Sequence, residues 1–594
     1  MKLALSRRSL ALLLLTLCLL LSGCSSQPTS AVPTLPPLVQ GNPQGTVQNI
    51  ASAPEAAQEN EEVPAAPAIQ TSRQQTASGV LTDGVQFIFY QDGELVLTGA
   101  PLTAQLRSET MLLPHLDKIT RITFGEGVTS IAPSACENLT GVTTLSFSKD
   151  VTTLGSYAFS GCSAVSTVHW GGVVTIGDYA FTGCSALRHL SLNNCAVTTL
   201  GSHAFDGCSS LQSVHLGQSI TAMGSSVFAG CNAMATLTVE GHVLPGSFSG
   251  CASLTDVTVG TGAAYIGNNA FSGCTALKNV VLAATVQEIG TNAFSGCSSL
   301  FSITTTGDAG LQQFLPHVKA IGARAFSGCT ALTNVTLVAG RVGDYAFSGC
   351  TALTTAEITA AVQSIGTEIF SGCTALNTLT LHVDAPDHAF KDLTGLTVLT
   401  FGESVRSIGA YAFDGCTGLV ECTLPQNIVS VGNYAFQNCS EISSMSIGGH
   451  ITAMGECVFK GCSNLKYLTV EMQDVPRLAF SGITGLTNLT ITPAVKTIGE
   501  SSFADCTALM EVDLPADGVT HIGERAFSGC TSITRVRLPK SLKKLDYGFL
   551  YGCERLQLLL YMGTEQQWDR VEKTWKQWNA GIVKQAEFNK NLWK

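Results

Sequence analysis

Twenty-two cysteines are the residues of this 594-residue chain best equipped for chemistry, and most are regularly spaced. Sixteen of them stand three residues after a common anchor position, among them Cys162, Cys184, Cys274, Cys350 and Cys530, inside phrases such as "FSGCTAL". Thiols recurring in this way could ligate metal ions, cross-link into a ladder, or fill a buried column. The chain carries its own substitution experiment, because the same position holds Leu139, Leu393 and Ile483 in repeats whose flanking pattern is intact. A metal ligand or a bridge partner cannot be exchanged for Leu, whereas a small buried apolar group can, and free Cys behaves as a small hydrophobe. Adjacent turns about 4.8 Å apart would not by themselves forbid disulfides. Parallel side-chain directions and the Leu and Ile replacements argue against a systematic ladder. The cysteines, Cys162, Cys274 and Cys350 included, are therefore predicted to be structural, with pairing of a few extra ones left open.

Other reactive groups are sparse. His169 and His215 fall in one register two turns apart, about 9.6 Å at ordinary strand spacing, too far for two Zn–N bonds of about 2.0–2.1 Å to one ion. His189 lies between them, which leaves a histidine cluster conceivable. No nucleophile elbow, H-E-x-x-H pair, phosphate loop or dinucleotide fingerprint is present, so neither enzymatic activity nor a cofactor is expected. Charged residues make up 13 % of the chain, and the net charge of −11 lacks the concentrated basic face that nucleic acid requires.

The elements that must position these groups are repeats. Anchor residues include Phe159, Phe181, Phe271, Phe347 and Phe413, giving nineteen units spaced 20 to 24 residues apart except for 32 between Phe294 and Phe326. A unit this short cannot offset about 1–2 kcal/mol of backbone entropy per residue alone, so the units must stack. In "FSGCTALKNVVLAATVQEIGTNA" (271–293), Leu277, Val280 and Leu282 have leucine-rich-repeat spacing, and Val286 and Ile289 form a second apolar pair before Gly290. The pattern resembles the BspA-like leucine-rich-repeat surface proteins, the treponemal 23-residue class, over about residues 120–560. That resemblance implies a β-rich solenoid of parallel strands. It also implies a non-enzymatic adhesin of the bacterial cell surface, binding extracellular-matrix proteins or other bacteria.

The residue between the two inward strand positions should face solvent. Down the stack it includes Ser146, His169, Ser191, His215, Thr238, Thr258, Thr304, Thr336, Thr380, Thr400, Thr423, Thr469, Thr490 and, last, Leu560. Such hydroxyls suit an exposed strand and can satisfy one another. As a whole, the column is the candidate face for a protein or glycan ligand. The long repeat adds "TTTGDAGLQQFLPH" (304–317), either a binding loop or drift.

At the ends, "VQFIFYQDGELVLTG" (85–99) reads as a β-hairpin turning at Asp92-Gly93, within an N-terminal cap over 80–119. "TEQQWDRVEKTWKQWNAGI" (564–582) reads as an amphipathic helix with a Thr564/Gln567 capping box and a stripe of Trp568, Val571, Trp575, Trp578 and Ile582, closing a cap over 561–594. Residues 1–23 have the charged start and short apolar run of a signal peptide. The following "LSGC" resembles a bacterial lipobox, which implies lipidation of Cys24 and a membrane anchor. Residues 24–79, rich in Pro, Ala, Ser and Gln, read as a disordered tether. The expected protein is thus an extracytoplasmic, lipid-anchored binding protein, the alternative being an envelope scaffold whose partner is the cell's own wall or another envelope component.

Overall fold

The computed structural model describes residues 73–305, 317–574 and the backbone of 586–588. The signal peptide, Cys24, the tether up to residue 72, the 306–316 part of the long repeat, and Trp575, Trp578 and Ile582 lie outside the described residues.

Each repeat makes one turn of a parallel β-solenoid. A four-residue strand such as Asn279–Leu282 points Val280 and Leu282 inward, and after a turn a two-residue strand such as Glu288–Ile289 adds Ile289 to the same core. Successive turns pair in strict register: Asp256, Val257, Thr258 and Val259 face Asn279, Val280, Val281 and Leu282. The short strands stack likewise, with Ile266 facing Ile289 and Ile289 facing Ile321.

The anchor phenylalanines stack inside the corner that follows the short strand. Phe271 and Phe294 lie 5.3 Å apart, ring centre to ring centre, at 11°. Phe294 and Phe326 also lie 5.3 Å apart, at 3°, so the long repeat leaves the column unbroken. The column cysteines fill the space beside it. Cys162, Cys274 and Cys350 are buried, as are their replacements Leu139, Leu393 and Ile483. All twenty cysteines among the described residues are unbridged.

Two backbone requirements fix the corner. Gly290 has no room for a side chain, since an added Cβ would meet the Asn268 amide nitrogen at 2.7 Å and the Gly267 carbonyl carbon at 2.8 Å on the preceding turn. The residue before each cysteine-column position is left-handed, with φ 76° at Gly273, and where Gly is absent Asn138, Asp392, Asn438 and Asp505 take its place at φ 58–59°. Asx residues tolerate that region better than other side chains.

At the N-terminal end β1 (Gln75–Val80), β2 (Gln86–Tyr90) and β3 (Glu94–Thr98) form an antiparallel sheet, and β3 pairs in parallel with β4 (Arg121–Phe124). The hairpin over 85–99 is therefore formed by β2 and β3. Residues 75–79, read from composition as tether, are instead the edge strand β1. Gln75, Thr76 and Ser78 are exposed, Ala77 and Gly79 are half-buried with Ala77 packed against the core, and backbone pairing with β2 recruits the segment.

The C-terminal helix departs from expectation. α1 spans only Glu565–Asp569, begun by the capping box of Thr564 and Gln567, with Trp568 and Val571 buried against the last turn. Glu572–Lys573 then returns to strand and pairs in parallel with Lys544–Leu545. Ala586–Phe588 likewise pairs with Leu559–Tyr561. The open backbone donors and acceptors of the last turn recruit these segments, which outweighs the helical spacing of the tryptophans.

Candidate functional site

The third position of the long strands forms an in-register column on the outer face of the sheet. Ser146 faces His169, Ser191 faces His215, and His215, Thr238 and Thr258 follow one another directly. Thr336 leads through Glu357 to Thr380 and Thr400, and Ser446 through Thr469 to Thr490. Thr304 faces Val281 at the start of the long repeat. Thr258, Thr304, Thr400, Thr423 and Thr490 are exposed, and Thr238, Thr336, Thr380 and Thr469 half-buried. Leu560 does not conform: it is 5 % exposed, because the chain continues past it and returns to the sheet rather than ending there.

The chemistry of these hydroxyls is set apart from that of the other Thr and Ser columns. Just before each long strand, Thr143, Thr255, Thr354, Thr397 and Thr487 each donate to a carbonyl of the preceding turn at 3.0–3.2 Å. Each backbone N–H of Thr143, Thr255 and Thr397 reaches that same carbonyl, so side chain and main chain share one acceptor. Near the corner, Ser185, Ser298, Thr330 and Ser440 do the same to Ser163, Thr275, Ser298 and Thr417. On the outer strand column, by contrast, the hydroxyls of Ser146, Ser191, Thr238, Thr258, Thr336, Thr380, Thr400, Thr469 and Thr490 make no hydrogen bond among the described residues. They do not satisfy one another. They are available to a ligand or to water.

The thiols belong to the engaged class. Cys350 donates to the carbonyl of Phe326 at 3.3 Å, and Cys373 to that of Phe347 at 3.1 Å. Burial pushes the Cys162 and Cys416 thiols up to about 12, which keeps them protonated. The histidines do not converge. His189 Nδ1 meets Ser213 Oγ at 2.8 Å, His215 Nε2 lies 3.4 Å from Glu240 Oε1, and His169 is exposed. Among the described residues no group of three or more metal-ligating side chains forms.

A surface ladder of aromatic residues escaped the sequence reading. Tyr157, Tyr179 and His203 stack at 4.8 and 4.7 Å, and His388, Tyr411 and Tyr434 at 4.9 Å each time. All six stand two residues before the anchor, at positive φ. Their shared register was the available signal. The stacking offsets the cost of a left-handed backbone at bulky residues. A groove of about 530 Å³ runs along the short strands beneath Tyr265, Glu288 and Arg341. Among its lining residues Glu288 and Arg341 supply opposite charges rather than a paired acid and base.

Comparison with known proteins places this geometry. A family model described as BspA type leucine rich repeat region matches residues 114–235, 241–312, 311–385, 383–475 and 473–567. A leucine-rich repeat protein of Bacteroides ovatus is similar at 21 % identity, over 83 % of this chain and 98 % of that one, with a TM-score of 0.31. A leucine rich cell surface protein of Faecalibacterium prausnitzii is similar at 19 %, over 84 % and 98 %, with a TM-score of 0.23. A leucine-rich repeat protein of Treponema pallidum is similar at 19 %, over 43 % and 87 %, with a TM-score of 0.20. No curated protein matches the chain.

Proposed function

The chain belongs to the BspA-type leucine-rich-repeat family, and on that premise we propose that it is a non-enzymatic binding scaffold of the bacterial cell envelope. It is anchored through lipid on Cys24 and presents the outer strand face to a protein or glycan ligand in attachment to host matrix or to other cells. Among the described residues no helix is long and apolar enough to cross a membrane. The observation that carries the reading is the column of unengaged hydroxyls, aligned turn after turn on a rigid sheet. A hydroxyl that stabilised the fold would be bonded to it, as the neighbouring columns are.

Two measurements test this. Cells displaying the chain should attach to immobilised fibronectin, fibrinogen or heterologous cells. Replacing Thr336, Thr380 and Thr400 together by Val, or Thr469 and Thr490, should reduce attachment while thermal stability is retained. Binding confined to isolated wall of the producing cell would assign it instead to envelope scaffolding. Separately, Cys24→Ala should abolish acylation and move the chain from the membrane fraction to the soluble one. Unchanged fractionation would remove the anchor from the proposal.

A further inference from the structure

The strand face is not uniform along its length, and its first stretch narrows the ligand. The first and third positions of five successive long strands, from Thr144 to Thr238, hold only Ser, Thr and His. Carboxylates and guanidinium groups dominate the other end, where Arg535 pairs with Glu511 and Arg537 with Asp513 across adjacent strands.

We propose that the stretch from Thr144 to Thr238 binds a neutral, linear, polyhydroxylated polymer, a glycan chain lying along the stack. This rests on the reading of the strand face as a binding surface. Three features of the stretch carry it. Its outward positions lack the Trp, Tyr, Phe, Met and Arg side chains that form the energetic centres of protein interfaces, where Ser and Thr are under-represented. It has no Lys or Arg at these positions to neutralise a polyanion, and a chain of net charge −11 repels one. What it offers is a series of hydroxyls, each both donor and acceptor, as a sugar hydroxyl is. Within it His189 and Ser213 are engaged with each other and His215 faces Glu240, while the hydroxyls of Ser146, Ser191 and Thr238 make no hydrogen bond among the described residues.

Repetition supplies the affinity. Parallel pairing brings the same two positions round once per turn, about 4.8 Å apart along the stack. Each hydroxyl contact exchanges water for a sugar and is weak, so retention must come from many turns gripping one molecule. The proposal therefore demands dependence on polymer length. A single sugar unit should not be held.

The test is affinity electrophoresis of the full chain through gels containing a neutral β-glucan, a mannan, a galactan or a poly-N-acetylglucosamine, with a polyuronate of matched length alongside. An immobilised extracellular-matrix protein is assayed in parallel. At least one neutral polymer should retard the chain, its oligomers of two or three units should compete at least ten-fold less well per unit, and the polyuronate should not retard it. Thr167→Val/Thr236→Val/Thr238→Val should weaken retardation at least ten-fold, and the corresponding triple Ser variant should restore it. Thr255→Val, at an engaged hydroxyl, should leave it unchanged. Retardation by none of the neutral polymers, or by the polyuronate alone, overturns the proposal. If the triple Val variant loses capture of the matrix protein and no glycan binds, the face remains a binding surface and the glycan class is wrong. If the variant changes no interaction at all, the face itself is wrong.

Discussion

Thr255 and Thr258 are three residues apart on one turn, and the structure uses them in opposite ways. Thr255 Oγ1 donates to the Ala235 carbonyl at 3.0 Å and stands 2.6 Å from an Asp256 carboxylate oxygen. Thr258, in register between Thr238 and Val281, bonds to nothing among the described residues. The same contrast recurs between Thr397 and Thr400 and between Thr487 and Thr490. Composition does not separate the members of these pairs; geometry does. Just before the strand, the side chain leans back onto the previous turn. Within the strand, it stands off the sheet. Hydroxyls of the first kind hold turns together, and those of the second kind contribute little to folding.

That contrast can be broken or sharpened by substitution. The largest effect belongs to the corner core. Phe347→Ala, at a ring stacked on Phe326 and tilted at 34° against Phe370, should lower stability by about 3–5 kcal/mol in chemical denaturation. A loss below about 1 kcal/mol would mean that the column contributes little to holding the turns together. Next come the engaged hydroxyls: Thr143→Val, Thr255→Val and Thr397→Val should each cost about 0.5–1.5 kcal/mol, the range for a lost intramolecular hydrogen bond. Cys350→Val should cost about 1 kcal/mol or less, since a thiol donates weakly and Ile483 already fills the equivalent site. Smallest of all, Thr238→Val, Thr258→Val and Thr400→Val should lie within about 0.5 kcal/mol of the parent. Equal losses in the two Thr sets would erase the distinction.

Thiol chemistry gives an independent check on the corners. With the Cys162 and Cys416 thiols pushed up to about 12 by burial, thiolate at pH 8 is about one part in ten thousand. Alkylation mapped by mass spectrometry should spare the column and, among the described cysteines, reach half-buried Cys195 first. Rapid labelling of Cys162 in the folded chain would show that the column opens readily.

The repeat architecture was legible in the sequence because nineteen imperfect copies average out local ambiguity. The exceptions Leu139, Leu393 and Ile483 identified the cysteine column as interior filling, and the structure buries all three. The outer strand register was legible too, down to Ser146 opposite His169. What periodicity could not resolve was the state of each hydroxyl, since Thr255 and Thr258 belong to equally regular columns. It failed again where repetition stops. The tryptophan spacing after Thr564 suggested a long helix, but the unpaired edge at Lys544–Leu545 draws Glu572–Lys573 into strand pairing. Tyr157, Tyr179 and His203 were visible as letters, and only the positive φ at their shared position turns them into a stack.

The phenylalanine stack passes from Phe294 to Phe326 as though the longer repeat were ordinary. The column thiols, the stacked anchor rings and the shared carbonyls join one turn to the next. Whole turns could therefore be inserted or removed, each product closing on the same mating surfaces. The reach of the displayed surface would then be heritable and adjustable, while the rules for building it stay fixed.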